Sequence, residues 1–243
     1  MSTAWVVGAS AILGQAVARR LGDEGFTVVG LSRRSPPEGT VRLHVPCDVT
    51  DPGSVRGAVE AAVHAHGPPL VLVYAAGEPA MGRTFDVPAD AARRAFEVNF
   101  WGLEAVVRAA VPEMRAQGGT VVAMLSLAAH RAVPYEAYYA ASKAAALRWL
   151  DCLAVEVAPL GIEVRHLSPG FIDTGFLERG GWYGMSPPVV HGSGVTPEQV
   201  AAEVLGLVNG GRSRVVGWRE RGIVWADRLL PGAYDAWLRA RRR

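Results

Sequence analysis

Ala4-Trp5-Val6-Val7-Gly8-Ala9-Ser10-Ala11-Ile12-Leu13-Gly14 opens as an apolar run, breaks at a glycine and passes into a helical pattern. Ala4–Val7 reads as a short strand buried on both faces. Leu13, Val17 and Leu21 then recur every four residues, one face of a helix that reaches Asp23. The same alternation continues along the chain. Apolar strands are expected at Phe26–Leu31, Val41–Val45, Leu70–Tyr74, Thr120–Leu125 and Ile162–Leu167, with a further one at Arg214–Val216. Helical patterns lie between them: Pro52–His66 with Asp51 as N-cap, a long stretch Ala89–Ala116 that Pro112 is expected to bend or break, Tyr138–Ala158 and Pro197–Val208. Short apolar strands alternating with longer helices predict one α/β domain over residues 1–243. Its expected architecture is a doubly wound parallel sheet of about seven strands with helices on both faces.

Composition agrees. Half of the 243 residues are hydrophobic and 20% are charged, which favours a large core with both sheet faces covered. A net charge of +2 is too small to point to nucleic acid. Cys47 and Cys152 form no CxxC pair, and His64 and His66 are too close to share a helix face, so neither a disulfide scaffold nor a metal site is expected. A strand follows Met1 almost directly, no signal peptide fits, and no apolar run approaches the roughly 18 residues of a spanning helix. A cytoplasmic protein is the expectation. One segment, Phe171–Val195, breaks the strand–helix rhythm with Gly180-Gly181, Trp182-Tyr183 and Pro187-Pro188. A long connection of this kind is usually either functional or disordered.

Three features carry chemistry. The glycine turn between the first strand and first helix lets backbone amides approach a pyrophosphate at a helix N-terminus. Only Gly8 and Gly14 are present, so the alternative is a glycine that merely ends a strand. About 20 residues on, where an acid would take the ribose hydroxyl of NAD, the sequence is Ser32-Arg33-Arg34. Two arginines suit the additional phosphate of NADP; a solvated basic turn is the alternative. Finally, Lys143 is the only lysine in the chain, and Tyr139 lies four residues before it. On a helix the two share a face. An ammonium beside a phenol favours the phenolate and is expected to lower the tyrosine pKa, as an acid or base acting near neutral pH requires. Ordinary surface neighbours would show the same spacing.

Together these residues resemble the short-chain dehydrogenase/reductase family over essentially the whole chain. The likeness rests on Gly8 and Gly14, Asp48-Val49, Ala76-Gly77, Asn99, Ser126, Tyr139-xxx-Lys143 and Pro169-Gly170-Phe171-Ile172-Asp173-Thr174, with Ser126 13 residues before Tyr139. It implies a Rossmann-type sheet and an oxidoreductase that interconverts a ketone and a secondary alcohol, with carbonyl reduction by NADPH favoured over use of NADH. Tyr139 would be the acid or base, Ser126 the group that holds the substrate oxygen, and Lys143 the group that tunes Tyr139 and binds the nicotinamide ribose. Asn99 would hold a relay water. The dinucleotide would lie along Gly8, Ser10, Ile12, Leu13 and Gly14, then Ser32, Arg33 and Arg34, then Asp48 and Val49. Ala76, Gly77, Tyr139, Lys143, Pro169, Gly170, Ile172 and Thr174 would complete its site. Tyr135 and Tyr138 lack a lysine four residues on and read as packing or pocket residues.

The chain departs from the family pattern at two places. In the turn, Val7 replaces the usual threonine and Ile12 the middle glycine; a β-branched residue at the latter does not easily take positive φ, and its side chain occupies space near the dinucleotide. Either the loop keeps a compatible conformation or dinucleotide binding is altered. The usual Asn-Asn-Ala-Gly is here Tyr74-Ala75-Ala76-Gly77, a loss of polar contacts expected to cost stability rather than chemistry. By position, residues 171–195 form a lid, whose Trp182, Tyr183 and Met185 suit an apolar carbonyl or alcohol or else pack on the lid's own core. His130 and Glu78 are within possible reach of the pocket. Residues 218–243 form an amphipathic extension, expected to pack on its own or a neighbouring subunit, with membrane-surface contact as the lesser alternative. The resemblance implies a homodimer or homotetramer. A non-catalytic dinucleotide sensor, or an epimerase or dehydratase on the same fold, are the competing functions.

Overall fold

The computed structural model describes residues 2–172, 174–176, 182–187, 194–229, 232, 236 and 240. Its strands are β1 (Thr3–Val7), β2 (Thr27–Ser32), β3 (Leu43–Pro46), β4 (Val71–Tyr74), β5 (Met81–Gly82), β6 (Gly119–Met124), β7 (Ile162–Ser168), β8 (Trp182–Tyr183) and β9 (Arg214–Val215). Its α-helices are α1 (Ile12–Asp23), α2 (Pro52–His66), α3 (Ala89–Phe96), α4 (Gly102–Met114), α5 (Ala137–Val157), α6 (Pro197–Val208) and α7 (Trp218–Leu229). Seven strands form one parallel sheet in the order β3-β2-β1-β4-β6-β7-β9, a Rossmann-type doubly wound topology.

The period of two along each strand divides the core. Trp5 and Val7, Leu72 and Tyr74, and Val121 and Ala123 point to one face, where α2, α4 and α5 cover them. Ala4 and Val6, Val71 and Val73, and Val122 and Met124 point to the other, under α1 and α6. Both sets are buried, so the strands carry no polar face, as expected of a parallel sheet. Asp51 caps α2 as expected, accepting from the Gly53 N–H at 2.8 Å with Pro52 at the first position. Thr196 and Gln199 form a reciprocal capping box on α6.

Two expectations need correction. The stretch 89–116 is broken, but not at Pro112, which lies inside α4 two residues before its end. The irregularity is a π-helical turn, Glu97–Trp101, that separates α3 from α4. In addition, a small second sheet joins β5 to β8, pairing Met81 with Trp182 and Gly82 with Tyr183. Strands of two residues carry no periodic signal. The 171–195 segment leaves and returns at one place: Ile172 bridges Val195, and the Val195 N–H donates to the Phe171 carbonyl at 3.1 Å. Residues 173, 177–181 and 188–193 of that segment, and much of the extension beyond Leu229, including Tyr234, Trp237 and Leu238, lie outside the described residues. No helix among the described residues is long and apolar enough to cross a membrane.

Candidate active site

In the strand order, β1 has β2 on one side and β4 on the other, so the chain reverses direction across the sheet at β1. A crevice forms at such a switch point beyond the carboxyl ends of the strands. Gly8 follows β1 with φ 85°, and a Cβ there would lie 2.8 Å from the Ala76 amide nitrogen. Only glycine lets the loops after β1 and β4 come together in this way. A Cβ on Gly14 would run into the Gly8 carbonyl, so Gly14 packs the start of α1 against the turn rather than lining the cavity. Ala11 at the N-cap offers no side-chain acceptor, and the first turn of α1 holds no acid. Its open amides are therefore free to meet an anion.

Ile12 is the first residue of α1 and does not have positive φ. The position asks for an ordinary helical conformation, which a β-branched residue takes without strain. The side chain, 48% exposed, lines the cavity beside Ser10 and Leu13. After β2, the buried Ser32 donates through Oγ to the Arg34 carbonyl at 2.8 Å, and Arg33 and Arg34 are exposed along the cavity wall. After β3, Asp48 accepts from the Thr50 N–H at 3.0 Å and the Thr50 hydroxyl at 2.8 Å. Burial opposes its charge, but those bonds and the nearby Arg33 and Arg94 outweigh it and hold the carboxyl below its usual range. Val49 lines the cavity next to it.

Tyr74 ends β4 fully buried, and its hydroxyl donates to the Val98 carbonyl at 2.6 Å. Val98 lies in the π-helical turn. The tyrosine thus supplies a polar contact of its own where the family pattern has asparagine, a contact visible only once β4 and the turn are side by side. Burial pushes its pKa well above the ordinary phenol value.

Asn99, also in the π turn, is 1% exposed and lies behind the cavity wall. Its Nδ2 donates to the Glu78 carbonyl and Ser142 Oγ, both at 2.9 Å, and its Oδ1 accepts from the Glu78 N–H at 2.9 Å. The side chain is committed to fixing the loop after β4. A Cβ placed on Gly77 would meet Asn99 Oδ1 at 3.6 Å and Lys143 Nζ at 3.9 Å, so Gly77 is the thin wall over both.

Tyr139 and Lys143 occupy successive turns of α5, both buried. Lys143 Nζ donates to the Met124 carbonyl at the end of β6 at 2.9 Å and lies 5.9 Å from the Tyr139 ring centre. Burial drops the lysine pKa to about 8. Ser126, after β6, accepts from the Ala128 N–H at 3.2 Å, and its hydroxyl favours the ionised form of the nearby Tyr139. The sequence expectation of a depressed tyrosine pKa is not met. Burial first, then the charge of Glu136, push Tyr139 up, and Ser126 only partly offsets them. Glu136, three residues earlier, is itself raised by burial to about 7.

After β7, the Pro169 carbonyl accepts from the Leu127 N–H at 2.9 Å, which ties this loop to that of Ser126. Gly170, Ile172 and Thr174 continue the wall; Asp173 lies outside the described residues. These parts enclose one cavity of about 670 Å³. It runs from Arg33 and Arg34, past the α1 amides, to Ser126, Tyr139 and Lys143. Uncapped amides and two arginines at one end, with a Ser–Tyr–Lys cluster at the other, suit a dinucleotide.

Of the lid residues, Trp182 lines the cavity, Tyr183 packs against the Ala80, Val87, Ala92 and Ala95 cluster with Tyr138, and Met185 is not in the wall. Phe176, which sequence reasoning passed over, lines it with its ring centre 5.8 Å from that of Tyr139. Glu78 reaches the cavity and pairs with Arg94 at 3.6 Å. His130 lies outside the wall, its Nε2 hydrogen-bonding Ser168 Oγ at 2.9 Å. No cluster able to hold a metal occurs among the described residues.

A family model described as short chain dehydrogenase matches residues 2–180. The chain is 34% identical over 197 residues to a dehydrogenase/reductase SDR family member 7B from Bos taurus, covering 77% of this chain and 58% of that protein. It is 35% identical over 177 residues to a 3-ketodihydrosphingosine reductase from Bacteroides thetaiotaomicron, covering 72% and 65%. The chain thus spans roughly three fifths of the length of these curated relatives. A solved short chain dehydrogenase from Burkholderia cenocepacia, in complex with NADP, superposes with a TM-score of 0.80 at 27% identity, over 99% of this chain and 96% of that one.

Proposed function

Since the chain belongs to the short chain dehydrogenase family, we propose that it is an oxidoreductase that reduces a ketone to a secondary alcohol with NADPH. The observation that carries the reading is the convergence of Ser126, Tyr139 and Lys143 on one cavity, with Lys143 one helical turn from Tyr139. The dinucleotide supplies hydride when bound. A carbonyl oxygen between the Ser126 and Tyr139 hydroxyls accepts two hydrogen bonds, which strengthen as negative charge develops on it. Tyr139 transfers its proton there. Its raised pKa keeps the phenol protonated at neutral pH, the form a proton donor needs. Lys143 is the cation that steadies the phenolate left behind. Asn99 holds the loop after β4 that closes over Lys143, and a proton relay from the lysine to solvent would pass beside it.

NADPH is preferred over NADH on the strength of Arg33 and Arg34 at the far end of the cavity and the lack of an acid there. The ordinary helical backbone of Ile12 removes the conformational argument for a non-catalytic sensor, while its side chain still lines the cavity. In this reading residues 171–195 are the lid, because Phe176 and Trp182 line the cavity. The exposed Trp101 and Val155, at the start of α4 and on α5, are candidates for a homo-oligomer contact. Tyr139→Phe tests the mechanism. Turnover should fall by about 10²–10⁴-fold while NADPH affinity, measured by calorimetry, stays nearly unchanged. Undiminished turnover would remove Tyr139 from the reaction.

A further inference from the structure

Of the carboxylates in the cavity wall, Asp48 is hydrogen-bonded to Thr50 and Glu78 pairs with Arg94; Glu136 is a third, and the reaction above does not use it. Glu136 immediately precedes α5 and lines the cavity, whose wall also carries Met81, Val133, Phe176 and Trp182. Those four side chains are apolar or aromatic. Among the described residues no cation pairs with its carboxylate, and its side chain makes no capping bond to α5. An acid left in such surroundings is costly unless a partner arrives. Burial accordingly moves its pKa to about 7.

The backbone holds it there. Tyr135 has φ 70°, the one non-glycine residue with positive φ among those described, and its carbonyl accepts from the Gly82 N–H at 2.8 Å. A tyrosine in the left-handed region is strained and persists only where its surroundings impose it. Here β5 imposes it, and the next residue is Glu136.

We propose that Glu136 recognises a cationic group on the substrate, which is therefore an amino ketone, or an amino alcohol in the reverse direction. A protonated or quaternary amine would pair with the carboxylate in a site that excludes water, where such pairs are strong. The Phe176 and Trp182 rings would face the same cation. The cation site stands on the cavity alone; the ketone half of the proposal rests on the oxidoreductase reading.

The test uses two matched probes: a methyl ketone that bears a trimethylammonium group on a short alkyl chain, and its tert-butyl isostere. Shape is shared and only the charge differs. Each is titrated by calorimetry into the protein in the presence of NADP. The cation should bind at least about tenfold more tightly, a difference of about 1.4 kcal/mol. In Glu136→Gln the gap should close to within about twofold, and in Glu136→Lys the order should reverse. Equal binding of the two probes by the native protein, or a gap that survives in Glu136→Gln, overturns the proposal. Turnover of the same pair with NADPH separates the two ideas. Reduction of both ketones with no Glu136-dependent preference retains the reductase and rejects the cation site. Glu136-dependent binding with no reduction of either retains the cation site and rejects the reductase.

Discussion

Replacing Glu136 with glutamine removes a charge from an apolar wall while nearly preserving the shape of the side chain. Burial raises the carboxyl from its ordinary 4.5 to about 7. At about 1.36 kcal/mol per unit, a carboxylate forced to ionise there destabilises the fold by about 3 kcal/mol. The sign follows from the direction. Below the unfolded value the group is neutral in both states and costs nothing. As pH rises through the folded value, the unfolded chain releases the proton more readily and stability is lost. The penalty is complete above about pH 7. Proximity to the positive end of α5 returns about 0.3–1 kcal/mol of this to the charged form, so the net effect is about 2 kcal/mol. Urea unfolding followed by tryptophan fluorescence, on native protein and Glu136→Gln at about pH 5 and about pH 8, measures it. The variant should gain about 2 kcal/mol on the native protein between those two conditions. A difference that stays constant with pH would show that the carboxyl is solvated, and both the burial and the cation proposal would lose their basis.

Three further outcomes are expected. Tyr74→Phe leaves the buried Val98 carbonyl without its donor and should destabilise the protein by about 1–2 kcal/mol in the same unfolding assay; an unchanged midpoint would mean that the bond contributes nothing. Gly8→Ala combines positive φ with a backbone clash at Ala76, and should cost on the order of 2–4 kcal/mol and abolish dinucleotide binding in calorimetry. Arg33→Ala with Arg34→Ala should weaken NADPH binding by about tenfold or more while changing NADH binding little; equal losses would place the phosphate elsewhere.

The parts legible in the sequence are those with a repeating or widely spaced signature. Strand runs and helical faces mark the sheet, because burial on both faces leaves β1, β4 and β6 almost wholly apolar and free of charged residues. The Tyr139–Lys143 spacing placed both on one face of α5, as found. What escaped notice depends on distant parts of the chain meeting. The Tyr74 bond exists because the π turn presents the Val98 carbonyl over β4. Nothing local marks Glu136 as a cavity residue; it becomes one only when the loops after β4, β6 and β7 meet around the site. The tyrosine pKa was misjudged for the same reason: the lysine was visible four residues on, whereas the desolvation and the Glu136 charge that oppose it were not. At Ile12 the error lay in assigning positive φ to a position that the helix already occupies.

The ladder between β5 and β8 has a consequence for how the chain matures. It pairs Met81 with Trp182, 101 residues later, through only two residue pairs. So few bonds do not offset the entropy of closing so long a loop. The ladder can persist only after the large sheet has brought both segments to the same rim. Contacts of high sequence separation form slowly and late. A partly folded chain can therefore hold the whole seven-stranded sheet and still lack the outer wall around Tyr139 and Glu136. Ligand recognition then arrives at the last step of folding, and a molecule that binds there selects for chains that have completed it.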